Sequence, residues 1–338
     1  MKLIFDSRVL VHKNYTGVEN YTKYILKALS KVIDIIRVKP SSSNRYFTHF
    51  WTHFILPFKK GETLFCPANI APIFVPKNKK VILTIHDVAF LTYPKSFTNF
   101  FRWYYKILVP INIKRADKII TVSSYSKKEI EKFYPFSKGK IEVVYLGYNK
   151  EFKKLGLQKR KEILFVGSLN ERKNFIGVLK AFINLKRKDY KLIVVGNFSY
   201  VFTINNETQE ILNMAKESDN IEFKMNILNS ELVKLYNQSE LFIFPSFYEG
   251  FGLPVLEAMA CGVPVITSHV SSLPEVGGDA VVYVDPSSVD DIKNKMQMVL
   301  NDKKLQDEMI KKGLKRAKEF SWEKSAKEHI KVFDEVSR

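Results

Sequence analysis

Residues 249–264 read EGFGLPVLEAMACGVP. Gly250 and Gly252 lead into Pro254, and a proline there marks the first turn of a helix, where its missing N–H costs nothing. Glycines leave backbone N–H groups uncovered, and a helix start adds a partial positive charge. Together these suit an anion such as a diphosphate. Two carboxylates frame the turn, Glu249 just before the helix and Glu257 two turns inside it. At 1.5 Å per helical residue they stand about 12 Å apart. That is too far to share one reacting carbon, as the paired acids of a glycosidase do. The spacing fits hydroxyls at the two ends of a sugar nucleotide, with the phosphates held between. A plain strand–turn–helix connection with surface glutamates competes with this reading. The apolar approach strand Leu241–Phe244, ending at Pro245, weighs against it.

Outward from this segment, short β-rich runs alternate with helical stretches. Upstream the strands are Ile163–Val166, Lys191–Val195 and Ile221–Phe223, and downstream Val265–Thr267, with a helix after each of the first three. Lys150–Glu162 (KEFKKLGLQKRKE) is charged and strand-poor and reads as a linker. Before it the alternation already runs once: Leu3–Phe5, a helix near Gly17–Ser30, Ile35–Val38, Thr63–Cys66, Val81–Ile85, a helix over Phe97–Ala116, Lys118–Val122 and Ile141–Val144. Alternation in both halves predicts two parallel sheets, each with helices on both faces, as domains over 1–155 and 160–319. Ligands of such sheets bind beyond the carboxyl ends of the strands, so a cleft between the halves is the expected site. Val289–Glu335 reads as nearly all helical, with Trp322, Ala326, Ile330 and Phe333 forming a core-facing stripe.

A chain of 338 residues suits two domains of about 150 each. Cys66 and Cys261 form no pairing pattern, which points to a reducing, cytoplasmic compartment. The start, MKLIFDSRVL, turns polar too soon for a signal peptide, and no apolar run approaches the roughly 20 residues that span a bilayer. Net charge is +19 and unevenly placed. Residues 1–160 hold 30 Lys+Arg against 10 Asp+Glu, whereas residues 161–338 hold 24 against 25. The whole basic excess lies in the first half, which implies a polyanionic partner there.

Other residues stand at strand exits. After Ile163–Val166 comes GSLNERKN (167–174), where Gly167 allows a sharp exit and Arg172 and Lys173 offer adjacent cations for phosphate oxygens. A solvated loop with two basic residues is the competing reading. His86 and Asp87 follow the strand VILTI, and either face a ligand or form a satisfied buried pair. TGVEN (16–20) opens the first long helix. Gly17 there permits close approach to a phosphate, and a plain helix start is equally compatible. No P-loop, H-E-x-x-H, C-x-x-C, G-x-S-x-G or Asp-x-Asp occurs, and the third position of a G-x-G-x-x-G is Val255.

EGFGLPVLEAMACGVP, with SHVSSLPEVGGDAVVYVDP (268–286) after it, closely resembles the Glu-x7-Glu signature of retaining glycosyltransferases of family 4. That resemblance implies the GT-B fold, two doubly wound Rossmann-like domains facing across a cleft, with a closing helix (320–338) that crosses back onto the first. It implies that Arg172 and Lys173, in a G-x5-K-N stretch, grip the donor diphosphate. Glu249 would hold sugar hydroxyls, Glu257 the ribose, and the backbone around Gly252–Leu253 the distal phosphate, with Gly250 and Phe251 among the donor-binding residues. Gly17 would approach the phosphates, and His86, with Asp87 orienting it, would lie near the transferred sugar. The His-Asp segment is similar to that of mannosyltransferase-like members, which implies GDP-mannose as donor. UDP-glucose and UDP-N-acetylglucosamine remain alternatives. No metal is implied, since the cations and a helix start can neutralise the leaving group.

For the acceptor, RYFTHFWTHFILPFKK (45–60) and FTNFFRWYYKILVPINIKR (97–115) interleave aromatics with cations. Such segments suit an anionic membrane surface, single-stranded nucleic acid, or a core with solvated cations. Nucleic acid is the least favoured. The family implies a glycan or lipid-linked acceptor at the inner membrane face, in polysaccharide or lipopolysaccharide biosynthesis. The rival is a non-catalytic basic protein that binds membrane or nucleic acid on a degenerate GT-B fold.

Overall fold

A computed structural model describes residues 2–11, 17–197 and 206–337. The chain divides into two compact units. One contains residues 1–92, 99–147 and 320–338, and the other residues 93–98 and 148–319.

In the first unit, β1 (Leu3–Asp6) is followed by α1 (Gly17–Leu29), β2 (Ile35–Val38), α2 (Arg45–Phe54), β3 (Thr63–Cys66), β4 (Lys80–Thr84), α3 (Ala89–Thr92), α4 (Asn99–Arg115), β5 (Lys118–Thr121), α5 (Ser124–Phe133) and β6 (Ile141–Val143). The six strands pair in the order β2-β1-β3-β4-β5-β6, all parallel. Leu3, Ile4, Phe5, Leu64, Phe65, Val81, Ile82 and Ile119 are fully buried. Strands covered on both faces read as continuous apolar runs, as these do.

The second unit repeats the plan. β7 (Arg160–Val166), α6 (Phe175–Leu185), β8 (Lys191–Val195), α7 (Asn206–Glu217), β9 (Ile221–Lys224), α8 (Asn229–Gln238), β10 (Ser239–Phe244), α9 (Leu253–Ala260), β11 (Val265–Ser268), α10 (Leu273–Gly277) and β12 (Val282–Val284) lead to α11 (Val289–Asn301) and α12 (Lys303–Ala317). The order is β12-β11-β10-β7-β8-β9, again all parallel. Its core includes Ile163, Phe165, Leu179, Leu192, Val194, Leu241 and Ile243. Gly196 is obligatory here. At φ +155° it leaves β8 so close to β7 that a Cβ would lie 1.8 Å from the Gly167 carbonyl oxygen.

The last helix, α13 (Trp322–Ser337), belongs to the first unit. Its buried stripe is Trp322, Ser325, Ala326, His329, Val332, Phe333 and Val336, while Ile330 is only half-buried. A reading of apolar residues alone therefore passes over the central one. His329 Nδ1 lies 2.8 Å from the Ser325 carbonyl, so Nδ1–H donates, and Nε2 must accept from Tyr21 Oη at 2.7 Å. Tyr21 in turn lies 3.0 Å from Thr84 Oγ1. Burial depresses the His329 pKa to about 4, which keeps the ring neutral.

One expectation needs correction, and two elements lie outside the sequence reading. β7 begins at Arg160, inside the segment read as a linker, because Arg160–Glu162 extend the parallel ladder with β10 and β8. α2 was not anticipated, although Asn44 caps it by accepting from Phe47 N at 3.1 Å. The short edge strand β12 was also missed. Among the described residues no helix is long and apolar enough to cross a membrane. Cys66 and Cys261 are buried and unpaired with each other.

Candidate active site

In each unit the strand order reverses direction at one point, and loops leaving the two strands there part to leave space for a ligand. In the second unit that point lies between β7 and β10. The β7 exit carries Arg172 and Lys173, and the β10 exit carries Glu249.

Asn170 opens the β7 loop by accepting from Lys173 N at 3.0 Å. Asn174, at φ +56°, ends that turn and starts α6, and its amide nitrogen donates to the Pro245 and Pro286 carbonyls at 3.1 and 2.7 Å. Phe247 N donates to the Arg172 carbonyl at 2.9 Å, and Arg172 Nη1 donates to the Tyr248 carbonyl at 2.7 Å. The two loops are thereby laced together. Lys173 Nζ lies 2.5 Å from Glu249 Oε1, and Arg172 Nη1 lies 3.5 Å from Oε2. All three side chains are less than a fifth exposed. Burial opposes ionisation of Glu249, yet the Lys173 ammonium and Arg172 guanidinium outweigh it and hold its pKa below the ordinary value.

Two cations against one carboxylate leave the trio with a net charge of about +1, in a place where charge is costly to bury. Arg172 Nε is buried with no hydrogen-bond partner among the described residues. A phosphate oxygen would satisfy both the surplus charge and the orphaned donor.

Beside the trio, the chain turns through Gly250 to Gly252. Gly252 has φ +117°, and a Cβ there would meet Leu273 Cδ2 at 2.9 Å. Leu253 and Pro254 then start α9. Ser271 and Ser272 brace the turn. Ser271 Oγ accepts from Glu249 N at 3.0 Å, and Ser272 Oγ lies 2.9 and 2.8 Å from the carbonyls of Glu249 and Phe251. Phe251 is buried, at 4% exposure for the whole residue. Glu257, on α9, is half-buried, with Tyr236 Oη 3.4 Å from its Oε2. Burial pushes its carboxyl up to about 8, so it is largely protonated at neutral pH without a ligand.

In the first unit the corresponding point lies between β1 and β3. Arg8, just beyond β1, is buried. It pairs with Asp6 and donates from Nη2 to the carbonyls of Ile70 and Ala68 at 2.5 and 3.3 Å. It lines a cavity of 480 Å³ together with Glu19, His49, Thr52, Tyr104 and Tyr105. A buried guanidinium, a carboxylate and phenols around one space are suited to sugar hydroxyls.

His86 also lies in this unit, at the β4 exit. Its Nε2 is 2.9 Å from the Pro67 carbonyl, so Nε2–H donates and Nδ1 keeps its lone pair. Its backbone N donates to Asn69 Oδ1 at 2.8 Å, and its ring meets Tyr21 edge-on at 4.7 Å. Burial lowers its pKa. Asp87 does not orient it through a hydrogen bond. Its Oδ1 accepts from Ala89 N at 2.9 Å, because a carboxylate at that point caps the start of α3. Gly17, the first residue of α1, is exposed, and a Cβ there would meet nothing within 4 Å. Its own packing therefore does not demand glycine. Thr16 lies outside the described residues.

The second unit thus gathers Arg172, Lys173, Glu249 and the backbone of 250–253 at one point, with Glu257 on the helix that follows. His86 and Gly17 belong to the first unit. Sequence reasoning missed Asn170, Asn174, Ser271, Ser272 and Arg8. The signal available for the serines was their place in the 268–286 stretch, and for Arg8 its position just past a strand. Among the described residues, no three His, Cys, Asp or Glu side chains are grouped so as to hold a metal ion.

Comparison with known proteins adds the family. Residues 148–316 match the model described as glycosyl transferases group 1, and residues 62–152 match glycosyltransferase family 4. The chain is similar to the O-antigen chain mannosyltransferase B of Escherichia coli, with 31% identity over 75% of this chain and 70% of that protein. It is also similar to the O-antigen chain mannosyltransferase RfbU of Salmonella typhimurium, with 31% identity over 78% and 71%. In fold it resembles sucrose-phosphate synthase from Thermosynechococcus elongatus, with a TM-score of 0.76, 18% identity and 99% of each chain covered.

Proposed function

The chain belongs to the glycosyl transferase group 1 family, a GT-B glycosyltransferase by sequence and fold, and we propose from this that it transfers mannose from GDP-mannose to a hydroxyl of a glycan or lipid-linked acceptor. The mannosyl reading is supported by the relatives named as O-antigen mannosyltransferases, and it places the reaction in lipopolysaccharide-type glycan biosynthesis. Membership of an enzyme family favours catalysis over the non-catalytic scaffold.

The observation that carries the chemistry is the Arg172–Lys173–Glu249 trio at the switch point of the second unit. When the bond from the sugar C1 to phosphate breaks, negative charge grows on the departing diphosphate. Arg172 and Lys173, preorganised by the laced loops, stabilise that charge. The acceptor oxygen bonds to C1 on the same face, and its proton passes to the leaving phosphate, so configuration is retained. Glu249 binds sugar hydroxyls, Glu257 the ribose, and the amides of Gly252 and Leu253 the distal phosphate. No metal is required in this scheme. On the family resemblance Gly17 is assigned to the donor phosphates, and His86, whose Nδ1 keeps its lone pair, to a sugar hydroxyl. The cavity beside Arg8 takes acceptor hydroxyls. The basic first half meets anionic lipid at the inner membrane face, where the acceptor would be found.

Calorimetric titration with GDP, UDP and their sugars tests the reading. GDP-mannose should bind more tightly than UDP-glucose or UDP-N-acetylglucosamine, and loss of that binding in Lys173→Ala is required. No affinity for any sugar nucleotide would overturn it.

A further inference from the structure

Two helices of the first unit each turn a row of aromatic residues outward. On α2, Tyr46, Phe50 and Phe54 recur every four residues and are 84%, 52% and 63% exposed. On α4, Phe100, Trp103, Ile107 and Ile111 share a face at helical spacing, at 62%, 60%, 42% and 38%. The opposite side of α4 is already committed, since Leu108, Val109 and Ile113 are buried. One apolar face is what a surface helix needs, so the second has no role in the unit's own core.

The two rows are joined. Tyr104 Oη lies 2.8 Å from His49 Nδ1 and 3.2 Å from His53 Nε2, which ties α4 to α2. His53 Nδ1 accepts from Ile73 N at 3.3 Å, bringing in exposed Ile73 and Phe74. Charge is as one-sided as hydrophobicity. α2 and α4 together contain five Lys or Arg and no Asp or Glu, and residues 35–92 and 99–115 hold 12 against 2. Lys60, Lys77, Lys106 and Lys114 are exposed.

We propose that the outward aromatic face of α2 and α4 docks the first unit onto the surface of an anionic lipid bilayer. Rings on such helices sit at headgroup depth, and the flanking ammonium groups meet lipid phosphates. Charge complementarity selects this occupant over a second copy of the chain, whose equally basic face would repel it. The inference rests on the membrane-contact part of the functional reading and is independent of the donor.

The molecule supplies its own reporter, because Trp51 and Trp322 are buried and Trp103 alone of the three tryptophans is exposed. The full chain should sediment with phosphatidylcholine vesicles containing about a third phosphatidylglycerol, and far less with phosphatidylcholine alone. Tryptophan emission should shift to the blue. Trp103→Phe should keep sedimentation and lose the shift. Phe50→Ser/Phe54→Ser/Trp103→Ser should lower partitioning about tenfold or more. Lys60→Glu/Lys106→Glu/Lys114→Glu should do likewise, as should added salt, so the test survives a folding failure in either triple variant. GDP-mannose titration of the same variants should be unchanged, which separates a failure of docking from a failure of the donor assignment. Absence of sedimentation at low salt would overturn the proposal. So would undiminished sedimentation in folded triple variants, self-association that the variants abolish, or binding of a single-stranded oligonucleotide in place of vesicles.

Discussion

Lys173 and Glu249, 76 residues apart in sequence, meet with Nζ and Oε1 2.5 Å apart. Their strands, β7 and β10, are neighbours only because the sheet order reverses between them. The ammonium that would face a diphosphate is thus held in place by the carboxylate that would face the sugar. A phosphate arriving there would meet an already oriented cation, so little reorganisation would accompany binding.

Substituting either partner should damage transfer more than fold. In the proposed roles, Lys173→Ala would remove a stabiliser of the leaving group, and Glu249→Ala would remove both a sugar contact and the anchor of Lys173. Each should lower kcat by about 10²–10³-fold with far-UV circular dichroism unchanged. Steady-state assay of the purified variants checks this.

Donor affinity should rise with pH. Burial pushes the Glu257 carboxyl up to about 8 without ligand, and in the proposed complex ribose hydroxyls donating to it would favour its ionised form. Binding therefore releases a proton, and affinity increases as pH climbs from about 6.5 toward 8. Calorimetry in buffers of different ionisation enthalpy measures the release directly. Glu257→Gln should abolish it.

Acid should weaken the first unit. The folded-state pKa of His329, about 4, lies below the ordinary 6.5, so the unfolded chain takes up the proton first. Stability is full above pH 6.5 and falls as pH drops toward 4, by about 3 kcal/mol from this residue. All three tryptophans lie in the first unit, so their emission in urea reports its unfolding alone. His329→Gln should flatten the pH slope.

Gly196→Ala should destabilise the second unit. The added methyl would meet the Gly167 carbonyl oxygen at 1.8 Å, and backbone there cannot yield cheaply. A loss of about 2–4 kcal/mol is expected. Urea unfolding followed by far-UV circular dichroism should show it, with the tryptophan transition unmoved.

Much of the fold was legible because local signals agree with it. The glycine–proline turn before α9, the apolar β runs and the helical spacing of α13 all depend on residues close together in the chain. The misses have a common form. Arg160–Glu162 look like linker until β8 and β10 lie on either side of them. Asp87 looks like a partner for His86 until the α3 start claims its carboxylate. His329 does not count as core by residue type, yet Tyr21 and Ser325 satisfy both of its nitrogens.

The sequence by itself determined most of the strands and long helices, the two-fold repetition of the α/β plan, the glycine–proline turn before α9 and the one-sided charge. Each of these is a property of neighbouring residues or of composition. Only the tertiary structure decided that Glu249 pairs with Lys173, that Ser271 and Ser272 hold the turn, and that the rings of α2 and α4 face outward. Strand order and helix rotation about its axis arise from the packing of the whole unit, so no short stretch of sequence contains them.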